Sequence, residues 1–329
     1  MKRNVSLFIR AERFNTPLFR ASLLILAVFT LVSCGKRIET AVQTETNPPP
    51  PLETVRRLAA LNQQTSISPL SNLDSYPSEI KQILQRGSII FGMTKADQKP
   101  FFYTDEETGE LIGLDVEIGY EIANRLGVRA VFNRDAASFD DVVLNVVNKK
   151  VDVALSKLSR TLRRGGLVRF TTPYITFRQA VLINRLELAK VSSEENLPLY
   201  MKQFRGSLAI IENSSYVGYA ESNFPLAGKK TYNSWPECVD ALFAGEVLAV
   251  YRDEGEILII NETRKDSGIM MKPVFINDRQ DPIAMAVSHD APHLQEWLNT
   301  FLEEYILQNG SELTPAKLVK RHYARNETT

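Results

Sequence analysis

Cysteine and histidine are scarce in this chain of 329 residues, which contains Cys34 and Cys238 and, of histidine, His289, His293 and His322. Neither cysteine has a second Cys or a His at metal-ligand spacing, which argues against a structural zinc site and leaves no metal to assign. An excess of either charge is also lacking, because 39 Lys and Arg face 39 Asp and Glu. Nucleic-acid binding draws on a basic surface, so that class is set aside. Missing too are a Gly-rich phosphate loop, an H-E-x-x-H pair and a G-x-S-x-G elbow, the usual signs of nucleotide, metal or nucleophile chemistry. No catalytic residue and no cofactor is therefore assigned. No apolar run reaches the roughly 20 residues that a membrane-crossing helix needs.

What is present suits packed cores: 44% of the residues are hydrophobic, enough for two medium domains. Residues 1–33 carry Lys2, Arg3, Arg10, Arg13 and Arg20 against Glu12, then an uncharged run from Ala21 to Ser33. A run that short behind a basic start reads as an export signal. It ends Leu31-Val32-Ser33-Cys34-Gly35, which resembles a bacterial lipobox and makes Cys34 the expected lipidation site and mature N-terminus. Cys238 sits in an amphipathic pattern and reads as a small buried side chain. Residues 34–74 include Pro48-Pro49-Pro50-Pro51 and many Thr, Gln, Ser and Asn. They read as a Pro-rich tether, with a short helix over Leu52–Leu61 inside it.

Beyond Tyr76 the spacing predicts a helix over Ile80–Gln85 and a buried strand over Ser88–Met93. Gly109, Gly113 and Asp115 mark a turn and a helix cap, after which Leu114, Ile118, Ile122 and Leu126 repeat every fourth residue. Phe139, Val142, Val143, Val146 and Val147 form the apolar face of the next helix, and Val151–Leu155 reads as a strand. This alternation is that of a parallel sheet with helices packed on it, its ligands gathering at the strand ends. Phe177–Asn184 reads as a further strand. The pattern then restarts with strands at Ser207–Ile211, Lys230–Tyr232 and Val247–Tyr251 and helices from Ser215 and Trp235. Asp281–Val287 reads as a strand returning to the first unit, followed by a helix through Leu294, Leu298, Leu302 and Ile306.

The stretch Ser156–Tyr174, SKLSRTLRRGGLVRFTTPY, places hydroxyls and an arginine pair on a loop directly after a strand. A planar guanidinium meets both oxygens of a carboxylate and a hydroxyl adds a third bond, so this loop reads as an anion clamp. Taken alone, Arg160, Arg163, Arg164 and Arg169 also fit a solvated basic face. With Ser159, Thr161-Leu162-Arg163-Arg164 and Phe170-Thr171-Thr172-Pro173-Tyr174 in this order, the chain resembles the periplasmic solute-binding proteins of the amino-acid ABC transporter type, family 3, from near Tyr76 to near Gly310.

That resemblance implies an α/β, two-lobed periplasmic-binding-protein type II fold with a double-crossover hinge. Lobe 1 would hold residues 75–180 and 281–312, lobe 2 residues 181–280, and residues 313–329 a C-terminal tail. It further implies an amino acid or related small zwitterion held between Arg164, on its carboxylate, and Asp253, on its ammonium. The match for Asp253 is Gly245-Glu246-Val247-Leu248-Ala249-Val250-Tyr251-Arg252-Asp253, where Leu248 replaces the family's earlier Asp. The same Asp253 also fits a helix cap. Asn213-Ser214-Ser215 stands where the family has Gly-Thr or Gly-Ser at a helix start, so Ser215 is a further expected ligand contact and Asn213 an expected left-handed residue. Ser159 would add a hydroxyl, and Phe139 either lines the pocket or belongs to the core. Lys157 would offer its backbone carbonyl, its side chain reading as pointing to solvent or reaching an acidic ligand.

The expected role is an extracytoplasmic, lipid-anchored, monomeric binding protein that hands its ligand to an ABC permease. A stand-alone amino-acid sensor is one alternative. A periplasmic cyclohexadienyl dehydratase is another, with Glu212 as the cleft acid.

Overall fold

The computed structural model describes residues 49–64, 72–191, 200–201 and 203–323. The export signal, Cys34 and most of the expected tether lie outside the described residues. In chain order the first elements are helices α1 (Pro51–Gln64) and α2 (Ser78–Arg86), strands β1 (Ser88–Thr94), β2 (Tyr103–Thr104) and β3 (Leu111–Ile112), and helix α3 (Leu114–Leu126). Strand β4 (Arg129–Ala136), helix α4 (Phe139–Val147), strand β5 (Val153–Ala154), the short helix α5 (Leu162–Gly165) and strand β6 (Val168–Phe170) follow. Then come β7 (Ile175–Asn184), α6 (Arg185–Val191), β8 (Ser207–Ile211), α7 (Ser215–Asn223), β9 (Gly228–Tyr232), α8 (Trp235–Phe243) and β10 (Ala249–Asp253). Helices α9 (Glu254–Thr263) and α10 (Ser267–Met270), strands β11 (Met271–Ile283) and β12 (Ala286–Ser288), and helices α11 (Pro292–Asn309) and α12 (Pro315–Tyr323) end the described chain.

Two five-stranded sheets divide these elements. The first has the order β4-β1-β5-β12-β6, and its β1 is parallel to both β4 and β5. A parallel strand covered by helices must be apolar on both faces, which is why Ser88-Ile-Ile-Phe-Gly-Met-Thr94 is an almost continuous buried run. The second sheet has the order β11-β7-β10-β8-β9. The chain passes from β6 to β7 and returns from β11 to β12, so the lobes are joined by two crossings. Strands β7 and β11 pair antiparallel from Ile175 opposite Ile283 outward, which makes the crossings one laced ribbon.

The returning strand differs from its expected bounds. Asp281–Val287 is divided between β11 and β12, and β11 begins ten residues earlier, at Met271. Pro273, Pro282 and the polar Asn277-Asp278-Arg279 conceal its alternation. That polar stretch lies where the register with β7 shifts, between Ile276 and Gln280. Asp115 is not the expected cap. Gly113 holds the N-cap position of α3 at φ 125°, where the Phe101 carbonyl oxygen would stand only 2.4 Å from an added Cβ. Asp115 instead lies buried in the first turn.

Both ends of the described chain are docked rather than loose. Helix α1, longer than the expected Leu52–Leu61, packs on α3, burying Val55 and Leu58 at helical spacing. Asn62 donates to Asn124 Oδ1 and to the Val128 carbonyl, both at 2.8 Å, and accepts from the Ala130 amide. Pro51–Gln64 is therefore part of the folded body and not of a tether. The expected C-terminal tail likewise contains α12, which buries Leu318, Val319 and His322. Arg321 makes a forked pair with Glu117 at 2.9 and 3.0 Å, and α12 also packs against α9 of the second lobe.

His322 meets the Tyr103 hydroxyl at 3.1 Å through Nδ1, while its buried Nε2 has no hydrogen-bond partner. Burial first, then the charges of Arg321 and Lys99, push its pKa down to about 3. A depressed histidine favours the fold fully above its unfolded pKa of about 6.5, and this contribution is lost as the pH falls toward the folded value. His322→Phe should therefore flatten the fall in stability between pH 7 and pH 4, where wild type loses on the order of 3 kcal/mol from this group. Urea titrations at several pH values give the profile, and parallel profiles for the two proteins would refute this role.

Candidate functional site

The loop after β5 is fastened to the second crossing. Ala284 donates to the Leu158 carbonyl at 3.0 Å, Arg160 to the Pro282 carbonyl at 2.8 Å, and Ser159 bridges Ile283. This lacing turns Ser159 toward the cleft between the lobes. Thr161 caps α5 by accepting from the Arg164 amide at 3.3 Å. Arg163 consequently projects outward, its side chain 83% exposed, while the Arg164 guanidinium turns inward.

Across the cleft, β8 ends in a tight turn at Asn213, which adopts the expected left-handed conformation at φ 54°. Ser214 donates to the Ile211 carbonyl at 2.7 Å and leaves Ser215 at the start of α7. Strand β10 brings Arg252 and Asp253 to the same edge, and Asp253 caps α9 by accepting from the Glu256 amide at 3.2 Å. The helix-cap reading of Asp253 thus describes one of its oxygens.

Phe139, Lys157, Ser159, Arg164, Ser215 and Asp253 all line one cavity, together with Ser214, Tyr216, Arg252, Asp281 and Ile283. The cavity is small, with room for roughly one water molecule. The lobes are closed on each other. Ser215 donates to Ser159 at 2.9 Å, and Arg252 Nη2 reaches Gln98 Oε1 at 3.3 Å.

The strongest link across the cleft comes from Lys157, whose side chain does not point to solvent. Its ammonium is 2.6 Å from Glu256 Oε1 and 3.0 Å from Asp253 Oδ2, with the side chain 3% exposed. The rings of Phe101 and Phe177 flank it at 5.2 and 5.6 Å. Two causes aim it inward. Lys157 takes a left-handed backbone, φ 47°, and Asp115 Oδ2 accepts its amide at 2.7 Å while Asp115 Oδ1 accepts from the Tyr174 hydroxyl at 2.8 Å. Burial raises the Asp115 pKa to about 7 against the pull of these donors.

Burial also works against the Asp253 charge, yet Lys157 and then Arg252 outweigh it and hold this carboxyl below its ordinary range. Arg164, the expected carboxylate partner, places Nε and Nη2 on Asp140 Oδ1 at 3.1 and 3.0 Å and Nη1 on the Ser159 carbonyl at 3.1 Å. Phe139 serves both readings left open for it: it is in the core of lobe 1 and it carries the Arg252 guanidinium over its ring at 5.4 Å.

Arg252, Tyr216 and Asp281 were not legible as site residues. Arg252 is 3% exposed, packed among Phe139, Tyr216 and Trp235, and its Nε has no hydrogen-bond partner. Its position beside Asp253 was the available signal. Asp281 accepts from the Tyr216 and Tyr219 hydroxyls at 3.1 and 3.3 Å. Burial, then the nearby Asp253 charge, raises its pKa to about 6. The second acid of the lysine pair, Glu256, follows Asp253 by three residues, in the first turn of α9. Glu212 is exposed and does not line the cavity.

Two α/β lobes on a two-strand hinge, closing over a charged cleft, define a protein of the solute-binding class. The chain belongs to the bacterial extracellular solute-binding proteins, family 3, whose family model matches residues 90–312. It is 24% identical over 172 residues to an arginine-binding periplasmic protein of Mannheimia haemolytica, covering 52% of this chain and 65% of that one. It is 31% identical over 121 residues to a cyclohexadienyl dehydratase of Pseudomonas aeruginosa, covering 37% and 42% respectively. The chain thus spans less than two thirds of the length of these relatives. Among solved structures, an amino acid ABC transporter substrate-binding protein of Streptococcus pneumoniae bound to L-arginine superposes with a TM-score of 0.61 at 21% identity, covering 74% of this chain and 99% of that one.

Removing Asp253 strands the Lys157 ammonium beside Glu256 and deprives Arg252 of a counter-ion. Asp253→Ala should therefore destabilise by about 3–5 kcal/mol, the usual cost of breaking a buried pair from one side. Arg163→Ala, altering an exposed contact, should stay within about 0.5 kcal/mol. Urea denaturation compares them, and equal stabilities would refute the buried pairing.

Proposed function

We propose that this chain is a lipid-anchored, extracytoplasmic solute-binding protein that captures a small carboxylate-bearing solute, of amino-acid type, between its lobes and delivers it to an ABC permease. The observation that carries this reading is the convergence of Arg164, Arg252, Ser159 and Ser215 on one cleft across a two-strand hinge. Arginine forks and hydroxyls suit a carboxylate, and the start of α7 adds backbone donors and a favourable dipole. The relatives, an arginine-binding periplasmic protein and an ABC transporter substrate-binding protein, support the same class of solute and the same kind of partner. A ligand that bridges hinged lobes favours the closed form and binds only the folded state, so its capture is visible as stability.

The full chain, screened by thermal shift and calorimetry against amino acids and their 2-oxo and 2-hydroxy counterparts, should gain about 3 kcal/mol at a hundredfold excess over Kd. Arg252→Ala and Arg164→Ala should each weaken the best ligand by about 30-fold or more, and Arg163→Ala should spare it. Silence from every solute in the panel would overturn the reading. For the anchor, labelled palmitate should enter wild type and not Cys34→Ala, and labelling that persists in the variant would exclude Cys34.

A dehydratase reading draws on one observation, the cavity acid Asp281 with its pKa raised to about 6, a value suited to a general acid. A prephenate-turnover assay decides it, and turnover that survives Asp281→Asn would remove Asp281 from that role.

A further inference from the structure

The acidic pole of the cleft is already filled from within. Asp253, the expected partner of a ligand ammonium, instead meets the ammonium of Lys157, which reaches from lobe 1 to Asp253 and Glu256 on lobe 2. This is no loose surface pair: Lys157, Asp253 and Glu256 are all buried, and the ammonium lies 5.2 and 5.6 Å from the rings of Phe101 and Phe177, which touch each other edge to face. Arg252 supplies the second cation, with Nε 3.7 Å from Asp253 Oδ2. Two buried cations thus face two buried carboxylates. An ammonium brought in by a ligand would be a third cation, and it could reach Asp253 only by expelling Lys157 from its carboxylates.

The cleft's unmet bonding capacity has the opposite sense. Arg252 Nε is a buried donor with no acceptor, on a residue that lines the cavity. The amino end of α7 lies on the same cavity, and the hydroxyls there are engaged in the closed form, Ser215 with Ser159 and Ser159 with Asp281. Asp281, the other acid on the wall, already takes a tyrosine hydroxyl on each oxygen. What the cleft lacks is an acceptor, and a carboxylate is one.

We propose that Lys157 is a tethered substitute for the α-ammonium of a ligand, so that this cleft selects small carboxylates with no amino group at that position, such as 2-oxo or 2-hydroxy acids. The proposal rests on the solute-binding reading above, keeps its carboxylate and replaces the amino acid by a counterpart without the amino group. The closed cavity is too small for a three-carbon acid, so admission requires the lobes to part at the Ser159–Ser215 contact. Lys157 then balances Asp253 and Glu256 as the lobes reclose around the acid. Discrimination arises because the amino analogue brings a buried charge without a partner.

Calorimetry on the full chain tests this with matched pairs: pyruvate, lactate and alanine; 2-oxoglutarate, 2-hydroxyglutarate and glutamate; and the equivalent sets for the other amino acids. At least one oxo or hydroxy acid should bind tenfold or more tightly than its amino counterpart. Lys157→Met keeps an unbranched apolar stem beside the two phenylalanines and removes the charge, and it should move the preference at least tenfold toward the amino acid. Wild type that binds an amino acid as tightly as its oxo and hydroxy counterparts would overturn the inference while leaving the solute-binding reading intact. Amino-acid binding that Asp281→Asn abolishes would overturn it in favour of Asp281 as the ammonium partner. Wild type that binds nothing in the panel would overturn both. The wild-type comparison decides the matter even if Lys157→Met does not fold.

Discussion

A lysine ammonium enclosed by two carboxylates of the opposite lobe sets the terms for the rest of this structure. Charges taken out of water carry a desolvation cost of several kcal/mol each, which only close partners can offset. Lys157 meets this condition only when the lobes are shut, because its backbone belongs to lobe 1 while Asp253 and Glu256 belong to lobe 2. Closure and charge neutrality are therefore one event. The rings of Phe101 and Phe177 present their faces to the cation.

The scaffold is built so that this event can occur at one place. Strands β7 and β11 are paired along the crossing, and the Leu158–Arg160 loop is hydrogen-bonded to β11 rather than left free. Ser159 and Asp281 are therefore fixed relative to the hinge. Arg252 and Asp253 ride at the end of β10, beside β7 in the same sheet. Helix α12 adds a second tie between lobes. It is held to lobe 1 through Glu117 and Tyr103, and it packs on α9, the helix whose first turn carries Glu256. The C-terminal helix and the cleft lysine thus act on the same element of lobe 2.

Much of the site was readable because it lies on short motifs at the ends of strongly patterned elements. Thr161 through Arg164 and the run ending in Asp253 are such motifs, and the structure brings both to one cavity with Ser159, Ser215, Phe139 and Lys157. The direction of Lys157 was not readable. A lysine after a strand is ordinarily solvated, and its inward turn depends on a hydrogen bond from its backbone amide to Asp115, 42 positions earlier. Asp281 begins the returning strand that the sequence predicts, but its place on the cavity wall depends on tertiary contacts, the hydroxyls of Tyr216 and Tyr219, 65 and 62 positions earlier. The sequence predicts a helix at Leu52–Leu61 but not its docking on α3, and it predicts no helix for α12, because both are flanked by polar sequence and depend for stability on the surface they cover.

By itself the sequence determined the order of strands and helices, the division into two α/β units and the chemistry brought to the strand ends, since these follow from periodicities of 2 and 3.6 and from capping residues. Only the tertiary structure decided which charges meet. Arg164 on Asp140, Lys157 on Asp253 and Glu256, and Arg252 among aromatic rings are choices made between residues far apart in the chain. A buried ion takes whichever counter-charge the fold delivers within about 3–4 Å. For Arg164 that distance is set by the folding of lobe 1, and for Lys157 and Arg252 by the meeting of the two lobes, neither of which a local pattern of residues encodes.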